Sequence, residues 1–230
     1  MLRLILFSAA AAGEPQVLSA SERIRIDHMV GNVIITSSAE AQAVTVEVIP
    51  IRWAEHCMFE ITEQGQTAVV RTWSERRRSR CRADIRVVAP SAVDADVEVG
   101  FGDLYVHGLA SLVAEVGVGD LRVSQIGGES DIELGNGDVE MMLLESADID
   151  LGVGDIRLHA VPGVRVDASV GVGKVRVQLP DGTRVNPRTS IGLGELQVTL
   201  PVGPDAATQL DVVVGVGDII ILALPESSQP

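Results

Sequence analysis

The chain is poor in aromatic residues: Phe, Trp and Tyr together make up 3% of its 230 residues. Basic residues are also few, with 18 Lys and Arg against 32 Asp and Glu, a net charge of −14 at pH 7. Neutralising a phosphate backbone needs a basic face, so this balance excludes a generic nucleic-acid binder. Only two cysteines occur, Cys57 and Cys81. They stand too far apart for a CxxC redox or zinc motif, and His28, His56, His107 and His159 show no ligand spacing. No apolar run reaches the roughly 18 residues at which a helical membrane span is read. No stretch carries helical periodicity with caps. Glycine is plentiful at 23 residues but does not recur at every third position, which excludes a collagen-like chain. A hydrophobic fraction of 46% excludes disorder and supports a sizeable core.

Charge is unevenly distributed. Residues 1–90 hold 11 Arg and 10 acids, whereas residues 91–230 hold 6 Arg and Lys174 against 22 acids. Such asymmetry points to two physically different parts. Residues 1–13, with Arg3, the apolar run Leu4 to Phe7 and Ala9 to Ala12, have the shape of a secretory signal cleaved after Ala12. The alternative is an apolar first strand.

What the chain has in abundance is a repeat. Val99-Gly100-Phe101-Gly102-Asp103-Leu104 recurs as Val116 to Leu121, Leu134 to Val139, Leu151 to Ile156, Val170 to Val175, Ile191 to Leu196 and Val214 to Ile219. The first glycine of each copy recurs at spacings of 17, 18, 17, 19, 21 and 23. Apolar residues alternate on both sides of the glycines, which is the period of a strand. Val97, Val99 and Phe101 are expected on one inward face. The phase slips by one residue across the Gly-Asp step, and a glycine corner restores the inward direction. Each copy therefore reads as strand, corner, strand. A unit this short cannot bury its apolar face alone, but stacked copies can, at about 4.8 Å per rung. The expected fold is all-β: a single β-solenoid (β-helix) of about seven rungs over residues 91–224, stacked in sequence order. A β-rich N-terminal cap covers residues 14–90 and a polar tail residues 225–230. A dinucleotide loop is a poor match, because a strand rather than a helix follows every Gly-x-Gly.

Asp103, Asp120, Asp138 and Asp155 occupy the position after the second glycine, followed in later copies by Lys174, Glu195 and Asp218. Stacked, they form a carboxylate ladder. The expected role is structural, each Asp accepting N–H groups of its own corner. The alternative is a weak divalent-cation site.

In the cap region, Gly31-Asn32-Val33 resembles a degenerate rung, and Phe59 to Trp73 reads as a hairpin through Glu63 to Gln66. Cys57 and Cys81 form an even pair that suits one disulfide in an exported protein. Arg76, Arg77, Arg78, Arg80 and Arg82 form the one basic cluster, expected in a hairpin loop. It either contacts an anionic envelope surface or remains a solvated loop facing the chain's own acids.

The run Ala83 to Pro90, followed by repeated Val-Gly-x-Gly-Asp-Leu-x-Val, resembles the DUF4097 family of adhesin-like β-strand repeat proteins over roughly residues 20–223. That resemblance implies an exported bacterial envelope protein with a β-solenoid fold and no established catalytic residues. The expected function is a non-enzymatic interaction or structural module, periplasmic, cell-surface or secreted. No cofactor and no nucleic-acid partner are expected, the envelope or extracellular partner is unspecified, and the chain is a monomer or weakly self-associating. The alternatives are a polysaccharide-active β-helix enzyme, which needs a locally distinctive carboxylate pair, and a self-assembling bactofilin-like scaffold.

Overall fold

The computed structural model describes residues 6–7, 13–19, 22–76 and 80–224. Every element among them is a strand. The chain divides into two compact units, Met1–Gly119 and Asp120–Pro230. The boundary expected at residue 90 falls inside the first of them. Most of the signal-like segment and the whole of the polar tail lie outside the described residues.

The first unit comprises β1 (Leu6–Phe7), β2 (Gln16–Val17), β3 (Arg23–Val30), β4 (Val33–Ser37), β5 (Thr45–Arg52) and β6 (Cys57–Gln64). It continues with β7 (Thr67–Ser74), β8 (Arg82–Ala89), β9 (Asp94–Phe101), β10 (Leu104–His107) and β11 (Ser111–Val118). They form two sheet layers, in the orders β1-β6-β7-β3-β9-β11 and β2-β5-β8-β4-β10. β3 passes into β4, and β9 into β10, through a corner, and the two rungs stack in parallel register, Val30 opposite Phe101 and Val33 opposite Leu104. Gly31-Asn32 is thus a true corner. β7 and β8 extend the stack by pairing in parallel with β3 and β4. β6 then returns antiparallel on β7 through Gly65, and β5 returns antiparallel on β8. This antiparallel layer holds the large side chains: Phe59 is fully buried and meets Trp53 edge-on, ring centroids 6.1 Å apart.

The second unit comprises β12 (Leu121–Ser124), β13 (Ser130–Asn136), β14 (Val139–Leu143), β15 (Ala147–Val153), β16 (Ile156–Ala160) and β17 (Arg165–Val172). After them come β18 (Val175–Leu179), β19 (Val185–Leu193), β20 (Leu196–Val198), β21 (Thr208–Val216) and β22 (Ile219–Ala223). Their orders are β13-β15-β17-β21-β19 and β12-β14-β16-β18-β22-β20. Aliphatic columns run through the unit. Ile132, Ile149, Ala168 and Val212 form one, and Val139, Ile156, Val175 and Ile219 another, all buried. Each buried Val or Ile side chain contributes roughly 1.5–3 kcal/mol. Rings are not needed to fill so narrow an interior.

Two expectations are corrected. The last two copies do not stack in sequence order: β21 and β22 insert beside β17 and β18, leaving β19 and β20 at the edge. The reason lies in the side chains. Val212, Val214, Ile219 and Ile221 can be buried on both sides, whereas β19 carries Pro187, which cannot serve an interior ladder, and Thr189 at an inward position. The loop after β20 partly covers this edge, with Val185 donating to Pro201 and accepting from Gly203. The second correction is Phe101. It is 59% exposed, because the chain has already begun to turn between the two glycines. Val99 and Leu104 are the last inward residue before the corner and the first after it.

Why the corners need glycine is clearest at Gly152 and Gly154. Gly154 has φ +143°, and a Cβ there would lie 1.8 Å from the carbonyl oxygen of Gly137 in the rung below. Gly152 has an ordinary φ, but its Cβ would lie 2.4 Å from the oxygen of Gly135. Both rungs would have to move apart to admit a methyl group. Gly154→Ala, which adds backbone strain to the clash, is expected to lower unfolding stability by about 3 kcal/mol or more. Gly152→Ala is expected to cost less. Chemical denaturation of the two variants measures the order, and a Gly154→Ala protein as stable as the parent would remove the close-approach argument.

Candidate functional site

The carboxylate ladder is built differently from the expectation. Each acceptor serves the N–H of the equivalent residue in the next rung rather than its own corner. In the first unit Asp84 Oδ1 accepts from Asn32 at 2.9 Å and Asn32 Oδ1 from Asp103 at 3.1 Å. In the second, Asp120 accepts from Asp138 at 3.1 Å, Asp138 from Asp155 at 3.0 Å, Asp155 from Lys174 at 3.0 Å and Asp218 from Glu195 at 3.2 Å. At a corner these N–H groups face the neighbouring rung's side chain instead of a ladder carbonyl, so the side chain must supply the acceptor. Asn32 shows that an amide oxygen suffices.

The second carboxylate oxygens are also engaged. Arg157 binds Asp138 Oδ2 at 3.0 Å and Asp155 Oδ2 at 3.2 Å. Tyr105 donates to Asp103 at 3.4 Å, and Lys174 Nζ meets Asp218 at 2.9 Å. The N–H of Asp155 and the Arg157 guanidinium hold the Asp138 carboxyl below its ordinary pKa. The pair with Asp218 raises Lys174, and Lys174 lowers Asp218. That pair exists because β22 lies next to β18.

A second acidic column escaped the sequence reading. Asp131, Asp148, Asp167 and Asp211 stand opposite one another on successive strands, ending at Arg188. Each lies four residues before the first glycine of its copy, a constant offset that was available as a signal. Partial desolvation, then the charges of Asp167, Asp150 and Asp131, raise the Asp148 pKa.

The residue between the paired glycines forms an exposed apolar stripe. In the first unit it comprises Phe101 and Val118, in register, with the half-buried Val30, which precedes the single Gly31, opposite Phe101. In the second it comprises Val153, Val172, Val216 and Leu193, with Asn136 at its start.

Cys57, at the start of β6, and Cys81, just before β8, form a disulfide with Cα atoms 5.6 Å apart. It joins the two sheet layers of the first unit. Among the described residues, His56, Cys57 and Cys81 are the one trio of grouped metal-ligating atoms, and the disulfide consumes both thiols. β7 and β8, the strands that flank the arginine cluster, belong to different sheets and do not form a hairpin with each other. Arg76, Arg80 and Arg82 are exposed, and Arg77 and Arg78 lie outside the described residues. Arg80 and Arg82 line a cavity of about 570 Å³ together with Val30, Ile51, Arg52 and Cys81. Arg52 was missed because only the antiparallel pairing of β5 with β8 brings it opposite Arg82.

His28 was also missed. It is 2% exposed. Its Nε2–H donates to the Ala83 carbonyl at 2.9 Å, so Nδ1 accepts from the Thr72 hydroxyl at 2.8 Å. Thr72 in turn accepts the Met29 N–H at 3.2 Å. The neutral imidazole thus ties β3 to β7 and β8. Burial lowers its pKa, against the hydrogen bond to Ala83 and the charges of Asp84 and Asp27.

No family model matches the chain and no curated protein matches it, so the DUF4097 resemblance stands on its residues alone. Solved structures do resemble it. One, described as a "putative adhesin" from Bacteroides fragilis, shares 14% identity over 96% of this chain and 97% of its own, with a TM-score of 0.51. A "putative cell adhesion protein" from Clostridium sporogenes shares 12% identity over 96% of this chain and 100% of its own, with a TM-score of 0.46. At such identities the likeness concerns the fold alone.

Two titrations follow from these geometries. The folded-state pKa of His28 lies below its unfolded value of about 6.5, so its contribution is complete above that pH and is lost as pH falls through the window beneath it. The thermal unfolding midpoint of the parent is expected to fall from about pH 7.5 to about pH 5.5, and His28→Gln should flatten that decline. Equal slopes in the two proteins would refute the assignment. Asp148 has the opposite sign: its raised pKa means that protonation relieves partial desolvation and then repulsion in the folded state. Asp148→Asn is expected to stabilise by a fraction of a kcal/mol (roughly 0.2–1) at low salt and neutral pH. The gain should shrink in high salt and in acid, as calorimetry can show.

Proposed function

We propose that the chain is a non-enzymatic, adhesin-like interaction module of a bacterial envelope, exported, with its repeats acting as β-solenoid rungs within each unit. The observation that carries this reading is the fold likeness to the Bacteroides fragilis protein, which spans 96% of this chain and 97% of the other. The Cys57–Cys81 bridge supports export, since such bonds persist in oxidising compartments and are rare in the cytosol. The parallel stacking supports a scaffold role. Backbone ladders, aliphatic columns and side-chain acceptors at the corners all repeat at one spacing, so that surface residues are held in straight columns. Membership of the DUF4097 family and an envelope location belong to the same proposal.

Fractionation of the cells that express the chain tests it. The expected result is a periplasmic, surface or secreted protein whose two cysteines resist alkylation until reduced. Closing the segment between Cys57 and Cys81 contributes about 3 kcal/mol in the chain-entropy picture, so a Cys57→Ala/Cys81→Ala protein should unfold at a clearly lower temperature. Recovery in the cytosol with both thiols free would overturn the reading.

A further inference from the structure

The cavity at the β5–β8 edge of the first unit is unusual in its charge. Arg52 and Arg82 face each other directly across an antiparallel pair, an arrangement that is destabilising for like charges. Arg80 joins them in lining the same cavity. Elsewhere in this unit four arginines are matched by carboxylates: Arg23 with Asp94, Arg25 with Asp96, Arg71 with Asp27 and Arg86 with Glu47. Arg52, Arg80 and Arg82 have no ion-pair partner among the described residues. The pairing register shifts between Pro50 and Arg52, a bulge that leaves Ile51 52% exposed beside the three guanidinium groups. The arginines stand out further because the whole chain carries −14.

The other wall of the cavity is Val30. Val30, itself half-buried, stands in register with the exposed stripe of Phe101 and Val118. At about 4.8 Å per strand, the stripe runs roughly 10 Å from the cavity across its neighbours. Both neighbours are exposed, Phe101 most of all. A concentrated cationic pocket that opens onto an apolar strip has the pattern of an interfacial membrane contact. Guanidinium groups bind phosphate through paired N–H donors, and apolar side chains enter the headgroup boundary.

We propose that this face docks on an anionic phospholipid bilayer, with headgroup phosphates held by Arg52, Arg80 and Arg82 and with Ile51, Phe101 and Val118 in the interfacial layer. The proposal rests on the envelope reading only for where a bilayer is met. The binding itself is a property of the purified chain. The long-range field of the chain repels an anionic surface, so affinity must come from this face and must fall with salt.

The test is co-sedimentation of the full chain with vesicles of phosphatidylcholine alone or mixed with phosphatidylglycerol. The parent should bind the mixed vesicles and not the zwitterionic ones. Arg52→Gln/Arg82→Gln should weaken binding about thirtyfold, from the usual contribution of two basic residues at an anionic surface. Arg86→Gln, which removes a charge from the same strand outside the pocket, should bind as the parent does. Phe101→Ser should bind severalfold more weakly. Inorganic phosphate at the lipid-phosphate concentration should not displace the protein. No binding to mixed vesicles would overturn the proposal, as would equal losses in Arg86→Gln and the double variant, or displacement by free phosphate. Should the double variant fail to fold, emission from Trp53 and Trp73 in the parent replaces it. Both tryptophans flank a small cavity that shares Val30 and Cys81 with the arginine pocket. Brominated anionic lipid should quench that emission, and unchanged emission would overturn the docking face. An exported chain that ignores these vesicles retains the envelope reading and loses this one. A cytosolic chain that binds them does the reverse.

Discussion

The corner is the constraint on which the rest depends. Two strands meet at each corner, and the backbone of one rung passes so close to the carbonyl of the next that no side chain fits between them. Once glycine is required at both positions, the residue between them can only point outward, and the residue after them carries an N–H without a ladder carbonyl. The exposed stripe and the column of side-chain acceptors are both consequences of that one contact. The rule also explains its exception. Ala83 occupies the corner position of the first parallel rung, and Gly31 lies over its carbonyl. Ala83 itself has only the antiparallel β5 on its far side, so its methyl group is admitted.

Periodicity turns small local preferences into surfaces. A single Asp after a glycine is an ordinary turn residue, but its repetition makes a chain of side-chain-to-backbone bonds through the second unit. A single Asp four residues earlier is an ordinary exposed residue. Its repetition makes a column of like charges, which adds to partial desolvation in raising the pKa of Asp148. The stack tolerates such a column because aliphatic burial behind it is much larger than the repulsion in front.

The packing changes most where the repetition stops. The cap replaces narrow aliphatic rungs with Trp53, Phe59, a buried histidine network and a disulfide. It also brings together Arg52, Arg80 and Arg82, which have no ion-pair partner among the described residues. In the stack, by contrast, Arg157 and Lys174 are absorbed by the ladder carboxylates. Whether a charge is paired within the fold is decided locally. It does not follow from the total charge of either unit.

The repeat itself was legible from residue order, because period-2 alternation and paired glycines are statements about adjacent residues. So were the all-β class, the Gly31-Asn32 corner and the hairpin through Gly65. The direction of Phe101 was not, since alternation alone carries it inward and only the turn of the chain carries it out. Nor was the place of the last two copies. Their order depends on which rung can be buried on both sides, and Pro187 makes that a comparison between segments rather than a property of either. Arg52 and Arg82 lie 30 positions apart in the sequence and face each other only because β5 runs back along β8. By itself, then, the sequence determined the local geometry of strands and corners, where the controlling contacts are a few residues apart. The tertiary structure alone decided rung order, the buried histidine link and the arginine pocket, because each depends on contacts between segments that local sequence does not specify.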